Sequence, residues 1–110
     1  MSHFITDEDV ERALDFLTTN SIAAAKARAE RCYVEDYAKV IKALIMKEHA
    51  GSSGIVQERE AYADGRYLQH LEAIRMAVEE DSKMTFLRQA AVAKIEAWRT
   101  LCSNERGVKL

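Results

Sequence analysis

The chain has 110 residues, of which 48% are hydrophobic and 31% are charged, and this composition is typical of a folded domain rather than a disordered segment. Proline is absent and glycine occurs only four times, which favours long helices and excludes turn-rich sandwiches and barrels. The net charge of -2 is unusual for a dedicated nucleic-acid-binding protein.

The sequence indicates a cytoplasmic protein with no membrane partner. No apolar run approaches the roughly 20 residues of a membrane helix, and the acidic first residues lack the basic region of a secretory signal. Cys32 and Cys102 are too far apart for a disulfide framework. Both lie among small or apolar residues, so we expect free thiols in the core and a reducing compartment.

The first predicted helix covers residues 7–18. Thr6 precedes an acidic turn with Asp9 three positions later, which is the pattern of a capping box. Amphipathic spacing follows at Val10, Ala13, Leu14 and Leu17. Asn20 or Ser21 is the expected cap of the next helix.

The second predicted helix covers residues 22–50, and the sequence Gly-Ser-Ser-Gly at 51–54 ends it. Gly51 suits the left-handed position that follows many helices, and Ser52 or Ser53 suits the cap of a short third helix at 55–63. A fourth helix at 66–103 follows, with Asp64 as its cap. The whole chain is expected to be one helical domain, 1–110.

Apolar residues form stripes on the two long helices. The second helix carries a coiled-coil-like seam of Tyr33, Tyr37, Val40 and Leu44. The fourth carries an early seam of Tyr67, Leu71, Ile74 and Val78 and a late seam of Met84, Leu87, Ala91, Ile95, Trp98 and Cys102. These two seams are offset by a step through Asp81, which predicts a local change in supercoil.

Two long helices with a short connector predict an all-α, antiparallel, coiled-coil-like hairpin with a short N-terminal helix. Because one hairpin is small and its apolar stripes are wide, we expect a homodimer that forms a four-helix bundle. The first helix would then pack across the bundle or on a neighbouring chain. The expected oligomer interface comprises Tyr33, Tyr37, Val40, Leu44, Leu71, Ile74, Val78 and Trp98.

The sequence shows no strong catalytic, metal or cofactor motif. No two of the three histidines have metal-ligand spacing, and Glu79, Glu80 and Asp81 point in different directions around a helix. We therefore expect that the chain is not an enzyme and needs no cofactor.

Arg88, Arg99 and Arg106 are spaced by near-whole helical turns in a basic segment, since residues 83–110 hold six basic and two acidic side chains. They are candidate contacts with nucleic-acid phosphates or with acidic residues of a partner. Protein contact is the commoner role of such arginines.

Three blocks of the sequence together resemble a known group of proteins. These blocks are KALIMKEHAGSSG, VQEREAYA and IEAWRTLCSNERG. They resemble small helical proteins of tailed bacteriophages and prophages, mostly of unknown activity, whose genes often lie near replication and recombination functions. This chain has Glu105 where those proteins carry a second arginine, which weakens a nucleic-acid role.

The resemblance implies an accessory or adaptor protein of phage origin in DNA replication or recombination, with a phage or host DNA-metabolism protein as partner. The alternative hypothesis is a nucleic-acid-binding module that uses the three arginines.

Overall fold

The computed structural model describes residues 5–109, with side chains as far as residue 107. The helices are α1 (Asp7–Thr19), α2 (Ser21–Glu48), α3 (Gly54–Ala63) and α4 (Gly65–Lys109). No strand occurs in this range, so the predicted all-α class is confirmed. The chain divides into two compact units, one of residues 26–81 and one of the segments on either side of it.

The capping box at the start of α1 is present as predicted. The Thr6 hydroxyl accepts a hydrogen bond from the Asp9 backbone N–H at 3.1 Å, and the Asp9 carboxylate accepts one from the Thr6 backbone N–H at 2.9 Å. These two bonds satisfy amides that a helix start leaves unpaired. They also hold the pKa of Asp9 below its usual value, mainly through the Thr6 backbone N–H.

Helix α1 packs against α4 of its own chain, whereas we expected it to cross a bundle or a neighbouring chain. At one end the Trp98 indole N–H donates to the Asp7 carboxylate at 2.9 Å, and at the other the Asn20 amide lies 3.3 Å from the Met84 sulfur. Val10 and Ala13 are buried along this contact.

Neither Asn20 nor Ser21 caps α2, so this prediction is wrong. Asn20 keeps a helical backbone conformation, with φ -85° and ψ -10°. Its side chain is turned to α4 instead of to the start of α2. The Thr19 and Ser21 hydroxyls donate hydrogen bonds to backbone carbonyls of α1 at 2.8 and 2.7 Å. Such side-chain bonds from Ser and Thr to the preceding helical turn often bend helices.

In the unit of residues 26–81, α2 and α4 run antiparallel, as predicted for the hairpin. Glu48 at the end of α2 pairs with Arg66 at the start of α4, and Arg31 pairs with Asp81 further from the connector. The covered side of α2, which we call the α2 seam, comprises Ala27, Arg31, Val34, Ala38, Ile41 and Ile45. Its steps alternate between four and three residues, as in a coiled coil.

The less exposed residues of α4 are also spaced by alternating steps of three and four residues. In the unit of residues 26–81 they include Tyr67, His70, Ile74, Ala77 and Asp81; in the other unit they include Met84, Arg88, Ala91, Ile95, Trp98 and Cys102. Because the steps alternate through Asp81 without interruption, the predicted offset between two seams is wrong. Polar residues at His70, Asp81 and Arg88 conceal this pattern in the sequence.

In the connector between α2 and α4, the end of α2 differs from the prediction, whereas the caps of α3 and α4 agree with it. Gly51 has no positive φ, so the left-handed end predicted there is wrong. Ser53 caps α3 by accepting from the Val56 N–H at 3.3 Å, and Asp64 caps α4 by accepting from the Arg66 N–H at 2.8 Å. Helix α4 continues to Lys109 rather than ending at 103, because one internal glycine, Gly107, weakens a helix without ending it.

Ile45 is the best test of the α2 seam, because only 1% of its surface is exposed. Ile45→Ala should lower the free energy of unfolding by about 2–5 kcal/mol through lost burial and a residual cavity. Ile22→Ala on the same helix, where 71% of the side chain is exposed, is the matched control and should change it by no more than about 0.5 kcal/mol. Urea unfolding followed by circular dichroism measures both, and equal effects would contradict the described seam.

Candidate interaction surfaces

The three predicted arginines do not form one solvent-facing stripe. The half-buried Arg88 donates through one guanidinium nitrogen to the Leu17 carbonyl at 3.0 Å and to the Asn20 side-chain oxygen at 3.3 Å. Arg99 and Arg106 are exposed, and Arg106 donates to the Ser103 hydroxyl at 3.3 Å. Arg88 therefore holds the end of α1 against α4, while the other two face solvent.

A buried carboxylate lies in the contact between α2 and α4. Asp81 is 4% exposed, and its two oxygens lie 3.2 Å from the Arg31 guanidinium and 3.7 Å from that of Arg28. These partners offset the cost of removing the charge from water. The pKa of Arg31 is raised, first by its hydrogen bond to Glu35 and then by the one to Asp81.

The predicted divergence of the acidic cluster agrees with the structure. Asp81 is buried, whereas Glu79 is exposed and pairs with Arg75 at 3.2 Å, and Glu80 is also exposed. Within residues 5–107, no group of three or more His, Cys, Asp and Glu side chains is arranged to hold a metal ion.

Sequence reasoning missed Arg31 and His70 as seam residues. The His70 ring nitrogen Nε2 lies 2.6 Å from the Val34 carbonyl oxygen, and the ring lies 5.8 Å from that of Tyr37. The available signal was the spacing of Tyr67, His70, Ile74, Ala77 and Asp81, which alternates between three and four only when polar residues are counted.

Helix α3 contacts α2 through hydrogen bonds to Lys42. The Lys42 ammonium donates to the Glu58 carboxylate and to the Tyr62 hydroxyl, both at 2.8 Å. The Glu58 bond is the main cause of a raised pKa for Lys42, and it lowers the pKa of Glu58. The Tyr62 ring meets the Tyr67 ring of α4 edge-on at 5.3 Å, so α3 touches both long helices.

A second cluster of charges joins the end of α2 to the start of α4. Both guanidinium amines of Arg66 donate to the Glu48 carboxylate, at 2.8 and 2.9 Å, and one also contacts Asp64 at 3.0 Å. Hydrogen bonds from Arg66 lower the pKa of Glu48 and lower that of Asp64 to about 2.

A stripe of large apolar side chains on α2 remains partly exposed, although its Tyr37 ring also lies near His70 of α4. We call it the tyrosine stripe: it comprises Tyr33, Tyr37, Val40 and Leu44, which are 62%, 39%, 44% and 53% exposed. Each member directly precedes a residue of the α2 seam, so the stripe lies about 100° around the helix from it. The Tyr33 and Tyr37 rings stack on one another at 5.8 Å.

Helix α3 contacts the other side of α2 and so leaves the tyrosine stripe open. Lys42, which α3 contacts, is two positions after Val40 and therefore about 160° away from it around the helix. The tyrosine stripe comprises the four α2 residues that we predicted as part of an oligomer interface, and α4 covers the residues one position after them.

The predicted interface residues of α4 lie in different surroundings. Leu71 is 42% exposed and Val78 is half-buried. Ile74 lies on the covered side of α4, and Trp98 lies in the contact with α1. These last two residues make contacts within the chain, and their role in an oligomer interface stays a prediction.

Both cysteines are free thiols, as expected, but their surroundings differ from the prediction. Cys102 is half-buried, whereas Cys32 is exposed on α2. The assignment of Cys32 to the core is wrong because it follows Arg31 of the seam by one residue and so points away from α4.

Comparison of the chain with family models, with curated proteins and with solved structures gave no match in any of the three. In the described part of the chain, no helix has an apolar stretch long enough to span a bilayer.

Asp81→Asn tests the buried carboxylate while keeping its size. Loss of the charged hydrogen bond should lower the free energy of unfolding by about 1–3 kcal/mol. Glu80→Gln, on the exposed neighbour, is the control and should stay within about 0.5 kcal/mol of the parent in chemical unfolding. An Asp81→Asn protein as stable as this control would show that the buried pair contributes nothing.

The Arg66 cluster predicts a pH dependence. Its carboxylates have lowered pKa values in the fold, so their stabilisation is complete above the ordinary carboxyl pKa and is lost as the pH falls from about 5 to 2. Glu48→Gln and Asp64→Asn together should make the urea midpoint less sensitive to pH over this range. Glu60→Gln, which alters an exposed carboxylate, should leave the parent's pH dependence in place.

Proposed function

We propose that this chain is a non-enzymatic accessory or adaptor protein that acts through helical self-association and protein–protein contacts. The tyrosine stripe is the observation that carries the proposal. Four large apolar side chains at coiled-coil spacing face solvent along α2, and contiguous apolar surface of this kind marks an interaction site.

The spacing of the stripe favours another helix as the occupant. Steps of four, three and four residues place one side chain in each successive layer of a helical pair, where each side chain fits between those of the partner. Single exposed apolar residues are common on protein surfaces and need no partner. A regular stripe beside an already covered seam supports a dimer built as a bundle of helices.

The proposed biological setting rests on the resemblance to tailed-bacteriophage and prophage proteins. On this basis we propose a role in phage DNA replication or recombination in the bacterial cytoplasm. The proposed partners are a second copy and a phage or host protein of DNA metabolism.

The alternative, nucleic-acid binding by the three arginines, has less support. Arg88 is engaged by Leu17 and Asn20, which leaves Arg99 and Arg106 to bind phosphates. Binding of DNA or RNA at about 50 mM salt that weakens steeply with added salt, and that Arg99→Ala with Arg106→Ala abolishes, would favour this alternative.

Self-association through the stripe is tested with Tyr37→Lys and Leu44→Lys in one chain. Analytical ultracentrifugation at micromolar concentration should show a dimer for the parent. The dissociation constant of the variant should be higher by about a hundredfold or more, because each chain loses two apolar side chains that the dimer would bury. Ile55→Lys, at a residue of α3 that is 80% exposed, is the control and should dimerise like the parent. A fully folded monomeric parent would contradict the proposal.

A further inference from the structure

The tyrosine stripe ends in opposite charges. Continuing its spacing by one step in each direction leads to Glu30 before Tyr33 and to Lys47 after Leu44. Both side chains are exposed, and neither makes an ion pair within residues 5–107. One end of an apolar stripe therefore carries a free carboxylate and the other a free ammonium.

The extended stripe has symmetric spacing. Its six positions are Glu30, Tyr33, Tyr37, Val40, Leu44 and Lys47, with steps of three, four, three, four and three. Because these steps read the same in both directions, an identical helix can be turned end over end and laid against it with all six positions level. The midpoint lies between residues 38 and 39.

Antiparallel pairing brings unlike side chains together at every level. Glu30 faces the partner's Lys47 at both ends of the contact, by symmetry. Tyr33 faces the partner's Leu44, and Tyr37 faces the partner's Val40, so each bulky ring meets a smaller aliphatic chain. Interdigitation of large and small side chains is the arrangement that packs a helical interface densely.

A second pair of charges fits the same arrangement. Asp36 and Lys39 are exposed, lie on the same side of the stripe, and make no ion pair among the described residues. In the antiparallel arrangement Asp36 is about 3 Å along the axis from the level of the partner's Lys39, from the rise of an α-helix. This distance is within reach of a lysine side chain.

Parallel pairing would place each side chain of the stripe opposite the same side chain of the partner. Glu30 would face the partner's Glu30, and Lys47 would face the partner's Lys47, both of which are repulsive. The four bulky tyrosine rings of the two copies would also meet in two adjacent layers.

We propose that a second copy of this chain packs antiparallel on the tyrosine stripe, about a two-fold axis between residues 38 and 39, with Glu30 and Lys47 paired across both ends. This inference rests on the proposed function, because it specifies how the self-association occurs. The charged residues at the two ends of the stripe thereby determine the partner's orientation.

Charge reversal in the full-length chain tests the orientation. Glu30→Lys alone and Lys47→Glu alone should each raise the dimer dissociation constant roughly tenfold at low salt, since each converts two attractive surface pairs into repulsive ones. The double variant carrying both changes should regain the parent's value. Glu60→Lys, on α3, makes the same change of net charge as Glu30→Lys and should leave dimerisation unchanged. In 0.5 M salt the differences should shrink.

The outcomes separate the orientation from the proposed function. One outcome is that the double variant Tyr37→Lys with Leu44→Lys dissociates the dimer while the single charge variants do not weaken it and the double charge variant does not restore it. That result would overturn the antiparallel arrangement and leave the stripe as an interface. Dimers that survive the stripe variant would overturn both. Circular dichroism checks that every variant keeps the parent's helix content.

Discussion

The alternating three- and four-residue spacing of the covered side chains is the constraint on which the structure depends. This spacing determines which side of α2 meets α4. Some of the covered positions hold polar residues, which most helical seams avoid. Each of these polar residues has an intrachain partner: Arg31 with Asp81, His70 with the Val34 carbonyl, and Arg88 with the end of α1. A polar residue at a seam position commonly fixes alignment at some cost in stability, and a slip of one turn here would separate Asp81 from Arg31.

That alignment also determines which surface is left open. The seam uses one side of α2 for α4, and the Lys42 contacts use another for α3. The tyrosine stripe lies beside the seam and stays partly exposed, although its Tyr37 ring also contacts His70 of α4. The exposed stripe is thus a direct consequence of the intrachain packing.

Much of the fold could be predicted from the sequence because helix starts are local. Thr6, Ser53 and Asp64 cap helices where short-range patterns placed them. The register of the covered side was predicted one residue out on α2, because apolarity alone selects Tyr33 and Tyr37 over Arg31 and Val34. Whether a polar side chain is covered depends on a partner far along the chain, as with Arg31 and Asp81, and no local pattern contains that information.

The aromatic residues have an uneven distribution with a practical consequence. The single tryptophan, Trp98, lies in the contact between α1 and α4, while all four tyrosines lie within residues 26–81. Indole emission therefore reports on one compact unit and phenol emission on the other. Each unit carries its own intrinsic fluorophore, so the unfolding of each can be followed without attaching a dye.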